Sequence, residues 1–341
     1  MQLEVARPDI LCSKLVVVDG LPGCGKTMLS AVISSLDRME LFKYSYEIEN
    51  FCRLYHFKNI NSQTSAAMIQ YQLDLILYNQ MMARETNFRF SDLSSVFKSV
   101  NKIKYFKRLF GSGDEAVPAL IEKERPIVNL VTHSISAFSK PLLDNFTEGM
   151  LLINFHRNPL YMIKQNMWNM ESLLNTGRNF DLHFDYNGQK LPYFFYGQEE
   201  QMLKANPIEK AIFFLAWSRK KALDNKLNKY GANYYELTFE SFVNDPYFHI
   251  NIIQERLGTE KTKNTSKILK REKIPRKVLS HGRDLPIYRR VNWEKGSAAS
   301  THQEIGELHN WAVSQISSDA KASLDWLLED YDQIVNRLSK R

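Results

Sequence analysis

The sequence predicts a three-layer α/β fold in which a mainly parallel central sheet is flanked by helices. Two observations predict it. The β-branched run Leu15-Val16-Val17-Val18 leads into the glycine-rich stretch Gly20-Leu21-Pro22-Gly23-Cys24-Gly25-Lys26-Thr27, and apolar residues at helical spacing follow at once. Further along, short apolar runs alternate with long helical patterns, the arrangement of strands joined by helical crossovers.

In chain order, residues 14–19 read as a strand covered on both faces, because four consecutive apolar residues leave no polar side for solvent. Residues 28–36 form the helix that completes a strand, glycine turn and helix unit. Helical periodicity fills 66–84, and strands are expected at 126–131 and 150–155. Helices at 160–174 and 208–227, a strand at 233–238 and a last helix at 320–338 complete the pattern. These are chiefly packing elements. The expected organisation is one domain, 1–341, with insertions at 178–198 and 261–296. The first insertion crowds aromatics around Asn187-Gly188, a hairpin-type turn, and reads as a lid, an acceptor-binding wall or a hairpin packed on the core. The second has poor periodicity and many cations. No internal repeat is evident.

The 341 residues are 44% hydrophobic and 24% charged, with no stretch of linker composition, so the chain is expected to fold throughout. A formal net charge of +7 favours anionic ligands such as a nucleotide, a nucleic acid or an acidic glycan. The densest basic stretches, 98–108 and 261–277, read either as solvated helix faces or as anion-binding surface. Cys12, Cys24 and Cys52 form no C-x-x-C pair and suit reduced thiols in a cytoplasmic setting. Neither a leader pattern nor a run of about 18 apolar residues occurs, so neither secretion nor a membrane span is expected.

The stretch from Gly20 to Thr27 has the G-x-x-x-x-G-K-T spacing of a P-loop. Its glycines let successive N–H groups converge on an anion, the following helix presents its positive end there, and Lys26 adds a full charge. The Thr27 hydroxyl can hold a phosphate oxygen or a magnesium ion. The loop alone does not choose among kinases, nucleoside triphosphatases and sulfotransferases. A magnesium-dependent enzyme also needs a carboxylate, usually an Asp ending a second strand. The candidate strands end in Val131-Thr132-His133 and Asn154-Phe155-His156-Arg157 instead. Asp19 precedes the loop itself and is no natural replacement, which leaves Glu47 or Glu49 to approach in space.

Four blocks, in order, resemble the sulfotransferase family, whose members use 3′-phosphoadenosine 5′-phosphosulfate. They are Val131-Thr132-His133; Leu151-Leu152-Ile153-Asn154-Phe155-His156-Arg157-Asn158-Pro159; Trp217 in a long helix followed by the segment from Tyr235 to Pro246; and Tyr288-Arg289-Arg290-Val291-Asn292-Trp293. The resemblance spans roughly 15–296. It implies a sulfotransferase-like P-loop fold and transfer of a sulfuryl group to a hydroxyl or amine on a small-molecule or glycan acceptor. It further implies that Gly20, Pro22, Gly23, Cys24, Gly25, Lys26 and Thr27 bind the donor's 5′ end, with Arg157 and Gln165 at its 3′-phosphate and Arg289 and Arg290 in the basic loop that closes over the donor. Lys26 would neutralise charge on the departing oxygen, and His133 would act as base; no metal is implied. The chain carries Gly23 where the family places Lys or Arg, and Gln165 where it places Ser. The competing readings are an ATP- or GTP-dependent P-loop kinase with magnesium, and a non-catalytic nucleotide- or nucleic-acid-binding protein. No RNA-binding signature accompanies the charge, so nucleic acid is not the expected partner. Oligomeric state is left open.

Overall fold

The computed structural model describes residues 5–8, 10–172, 174, 176–177, 179–276, 279 and 300–340. Five parallel strands form the main sheet: β1 (Leu15–Asp19), β2 (Lys43–Tyr44), β3 (Val128–Val131), β4 (Met150–His156) and, after a separate hairpin, β7 (Tyr234–Thr238). Their order is β2-β3-β1-β4-β7. Leu15 through Val18 are all buried, as their unbroken apolar character requires of a central strand covered by helices on both faces. The register aligns Val18 with Val131 and with Ile153, so β1, β3 and β4 finish at one edge.

The helices α1 (Lys26–Ile33), α2 (Tyr46–His56) and α3 (Ser62–Met81) belong to the first two crossovers. The connection from β1 to β2 steps toward one side of the sheet, whereas those from β2 to β3, β3 to β4 and β4 to β7 step toward the other. Right-handed crossovers therefore put α1 on one face and the remaining crossover helices on the opposite face. The contacts agree. α1 packs on β1, β3 and the helix Lys263–Arg271, while α2 and α3 pack with Lys140–Asn145, and Leu160–Ser172 packs with Pro207–Asp224. The C-terminal helix Ser318–Leu338 closes over Pro207–Asp224.

One strand was not read from the sequence and one segment was read as less regular than it is. The edge strand β2 is too short to leave a periodic signal, and it brings Tyr44 alongside Val131. The segment 261–296 does not begin as irregular chain: Lys263–Arg271 is a helix with a capping box between Thr262 and Thr265. It buries Thr265, Ile268 and Leu269 on one face, and a threonine at the first of these positions hides the apolar stripe from a hydrophobic count. The stretch 178–198 holds the antiparallel hairpin β5 (His183–Tyr186) and β6 (Gln189–Pro192). Asn187 and Gly188 both take positive φ at its turn, the geometry that favours Asn-Gly there. Among the described residues no helix is long and apolar enough to cross a membrane.

Candidate functional site

The loops after β1, β3 and β4 meet where the crossovers of neighbouring strands diverge to opposite faces. Open parallel sheets bind ligands at such a point. A cavity of about 580 Å³ opens there.

The loop after β1 is shaped by close approach on two sides. Gly25 caps α1 at φ 97°, and a Cβ there would lie 2.6 Å from the Phe239 ring. Gly20 passes so near β4 that a Cβ would lie 2.5 Å from the Phe155 carbonyl oxygen. Three side chains capture the loop's carbonyls. Lys26 Nζ donates to Gly20 O (2.6 Å), Arg157 Nη1 to Gly23 O (2.9 Å) and Asn166 Nδ2 to Pro22 O (2.8 Å). The N–H groups of Gly23, Gly25, Lys26 and Thr27 meet no acceptor among the described residues. With carbonyls bound outward and amides left free at a helix N-terminus, the loop is an anion cradle in form.

His133 follows β3. Its ring stacks between Tyr44 (centroids 5.7 Å apart) and Tyr46 (5.3 Å). Nδ1 lies 2.9 Å from Glu49 Oε1, which also accepts the His133 backbone N–H at 3.2 Å. In the neutral ring, donation from Nδ1 to the carboxylate makes Nε2 the acceptor nitrogen. Glu49 is buried and also accepts from Arg53 Nη2 at 2.7 Å. Burial pushes its carboxyl up, but His133 and Arg53 outweigh that and hold it below the ordinary range. Arg53 continues to Asp181 and to the Tyr193 hydroxyl, which meets Ser134 beside His133. The histidine is thus fixed by a buried, charged network.

Arg157, at the end of β4, is 7% exposed, and its guanidinium stands 4.2 Å from the Phe239 ring centroid. Its Nε is buried and has no hydrogen-bond partner among the described residues. Arg276, 5% exposed, lies 5.4 Å from the same ring. It donates to the carbonyls of Lys273, Leu279 and Glu272. Among the described residues neither guanidinium has a carboxylate within ion-pairing distance. Buried cations are ordinarily compensated, so two of them on one ring call for an anion between or beside them.

Pro22, Gly23, Gly25, Lys26 and Thr27 line the large cavity, as do His133, Arg157 and the half-buried Gln165. Gly20 instead lines a smaller cavity of about 60 Å³ that it shares with Arg157. Cys24 is fully buried, burial raises its thiol pKa, and its N–H donates to Leu21 O within the turn. Arg289 and Arg290 lie outside the described residues. Sequence reasoning missed Tyr44, Tyr46, Asn166 and Arg276 and gave Glu49 a different task. No spacing rule links positions 84 residues apart, as Glu49 and His133 are; only β2 and the start of α2 bring them together.

The acids weighed for magnesium are otherwise engaged. Asp19 accepts from Thr132 Oγ1 (2.7 Å) and from the N–H groups of Ile135 and Ser136, fixing the turn after β3. Glu47 accepts from Ser45 Oγ, and Thr27 Oγ1 is 2.9 Å from the Tyr44 hydroxyl. Among the described residues no three His, Cys, Asp or Glu side chains form a metal-binding group.

No family description matches the sequence, and no curated protein does. Solved structures do. The chain is similar to the sulfotransferase domain of the Synechococcus PCC 7002 olefin synthase, with TM-score 0.43 and 11% identity over 97% of this chain and 98% of that one. It is similar to a sulfotransferase from Mycobacterium tuberculosis H37Rv, with TM-score 0.38 and 14% identity over 76% and 71% of the two chains. A sulfotransferase from Alicyclobacillus acidocaldarius gives TM-score 0.34 and 13% identity over 95% and 97%. Likenesses this distant carry no argument about donor, acceptor or activity, for which the chain's own residues must speak.

Proposed function

We propose that the chain is a sulfotransferase, moving a sulfuryl group from 3′-phosphoadenosine 5′-phosphosulfate to a hydroxyl or amine acceptor. The observation that carries this reading is the convergence on one cavity of three groups: an amide-rich loop with Lys26, a histidine backed by Glu49, and Arg157, which has no carboxylate partner among the described residues. The loop amides and the N-terminus of α1 hold the donor's 5′ end. Arg157 and Arg276 pair with its 3′-phosphate, for which a guanidinium fork is well shaped, and Gln165 adds a donor. His133 Nε2 takes the acceptor proton as the acceptor oxygen or nitrogen forms its bond to sulfur. The bond from sulfur to the bridging oxygen breaks, and Lys26 neutralises the charge left on the departing 3′-phosphoadenosine 5′-phosphate. The acceptor occupies the aromatic part of the cavity beside Tyr44, Tyr46 and Phe180.

The lysine placement of the loop equally suits a nucleoside triphosphate, which makes a magnesium-dependent kinase the second reading. Calorimetry separates the two. Wild-type protein should bind 3′-phosphoadenosine 5′-phosphate without magnesium and lose about a hundredfold in affinity on Arg157→Ala, whereas ATP should be little affected. Tight magnesium-dependent ATP binding with no detectable affinity for the 3′-phosphorylated nucleotide would refute the proposal.

A further inference from the structure

Beside the cavity, the segment from Phe88 to Phe110 carries an apolar surface that the fold does not use. Phe110 is 89% exposed, Phe90 68% and Ile103 65%, and Leu109, Phe97, Phe106 and Phe88 are exposed with them. Phe88, Phe90, Phe97 and Phe106 pack on one another through ring contacts of 5.2 to 6.2 Å, so these four form one continuous patch.

The short helix Lys102–Arg108 within it buries one ring, Tyr105, where an ordinary surface helix turns its whole apolar stripe to the core, and leaves apolar side chains outward as well. Its inward side packs the Tyr105 ring against Leu41, Phe42, Val96 and Val131 and carries two cations beside it. The Tyr105 hydroxyl accepts from Leu41 N, and Lys104 and Arg108 bind the buried carboxylate of Glu40 at 2.7 and 2.8 Å. Its outward side shows Ile103 and Phe106. Charged anchors thus hold an apolar face toward solvent. Lys98, Lys102 and Lys107 rim that face, and none has a carboxylate partner among the described residues. The Lys98 ammonium sits 5.4 Å from the Phe90 ring centroid.

We propose that this surface docks the protein on an anionic lipid bilayer. Aromatic and aliphatic tips flanked by lysines are the chemistry of interfacial binding: the rings and Ile103 enter the acyl boundary while the lysines meet anionic headgroups. Charge complementarity decides against a second copy of this chain, because a two-fold contact would bring the same lysines face to face. Ring geometry argues against single-stranded nucleic acid. Phe88, Phe90, Phe97 and Phe106 meet one another tilted or edge-on at interplanar angles of 42° to 72°, with no parallel pair among them to take a base, and Ile103 and Leu109 offer no face on which a base stacks.

The patch is continuous with the cavity, since Ser91, Leu93 and Lys98 also line it. Docking therefore turns the cavity mouth toward the bilayer. The consequence for chemistry, which rests on the function proposed above, is that the acceptor is an amphiphile whose headgroup hydroxyl or amine reaches His133 from the membrane side.

Co-sedimentation of the full chain with vesicles tests the docking. Protein should pellet with phosphatidylcholine vesicles containing phosphatidylserine, pellet less as salt rises, and remain in solution with phosphatidylcholine alone. The exposed substitutions Phe90→Ser with Phe110→Ser should lower partitioning about tenfold, and Lys102→Glu with Lys107→Glu should abolish its dependence on phosphatidylserine. None of these four residues lines the cavity, so affinity for 3′-phosphoadenosine 5′-phosphate should be unchanged in both variants, and thermal unfolding shows that they are folded. Three results would each overturn the inference: no pelleting at low salt, pelleting indifferent to both variants, or a dimer or RNA complex that the variants disrupt while vesicles are ignored. Failure to bind the nucleotide alongside normal pelleting would count against the proposed function and leave the docking standing.

Discussion

Replacing Glu49 with glutamine isolates the contribution of one buried charge. The carboxylate accepts from Arg53 Nη2 at 2.7 Å, His133 Nδ1 at 2.9 Å and His133 N at 3.2 Å. Glutamine preserves the volume but removes the charge and turns one acceptor oxygen into a donor. Arg53, itself buried, keeps only the partly exposed Asp181 as a carboxylate partner among the described residues. Charged hydrogen bonds contribute about 1.5–3 kcal/mol each, and breaking a buried pair from one side costs about 3–5 kcal/mol. Urea unfolding should therefore lose about 3 kcal/mol or more. In the folded fraction, His133 no longer has a carboxylate fixing Nδ1–H, so Nε2 is a lone pair for only part of the time. Proton removal by a positioned base contributes about 10²–10⁴ in rate. Transfer of labelled sulfuryl to acceptor should fall by about that factor while nucleotide affinity stays within about twofold. A variant of wild-type stability, or a folded one with full turnover, would refute the reasoning.

Three further outcomes follow from other parts of the molecule. Gly25→Ala forces a positive φ of 97° on alanine and drives a Cβ to 2.6 Å from Phe239, so the ring under Arg157 must shift; thermal melts should show a loss of about 2–3 kcal/mol, and an unchanged melt would show that the loop is slack. Lys26→Ala should weaken nucleotide binding at least about tenfold by calorimetry, and undiminished affinity would mean that the loop is not the binding site. Acid should destabilise the fold through Glu40 and Glu236. Burial pushes both carboxyls up, but Lys104 and Arg108 at Glu40, and His156 and Arg337 at Glu236, hold each at about 2 against an unfolded value of 4.5. The unfolded chain therefore binds more protons in this window, so the stability these groups provide is complete above about pH 5 and is lost as pH falls toward 2. Each shift corresponds to about 3 kcal/mol. Urea midpoints measured across that range should decline steadily, and Glu40→Gln should remove part of the slope; a flat profile would contradict the assignment.

The sheet was legible because its strands are buried on both faces and so read as unbroken apolar runs. Residues 150–155 were expected as a strand, and β4 spans Met150–His156. The loop was legible because glycine, lysine and threonine at fixed spacing have few other uses. What stayed hidden depends on distance in sequence or on shortness. β2 is two residues long, yet it sets Tyr44 against His133. Arg276 lay in a basic stretch read either as a solvated helix face or as anion-binding surface, and nothing local says that its guanidinium approaches Phe239. Glu49 was visible as an acid but not as the partner of His133, because that pairing exists only after β3 is laid beside β1 and α2 folds back over them. Composition showed charge, but not that the basic run 98–108 splits into lysines facing solvent and the anchors Lys104 and Arg108 turned toward Glu40.

The central claim is that one nucleotide bridges the loop after β1 and the guanidinium after β4. A crystal structure with 3′-phosphoadenosine 5′-phosphate tests it most directly. The account predicts the 5′-phosphate on the N–H groups of Gly23, Gly25, Lys26 and Thr27, with Lys26 Nζ moved from Gly20 O onto it, and the 3′-phosphate on Arg157 beside Phe239. Density for the 5′-phosphate with the 3′-phosphate in solvent, or the nucleotide bound elsewhere, would contradict it.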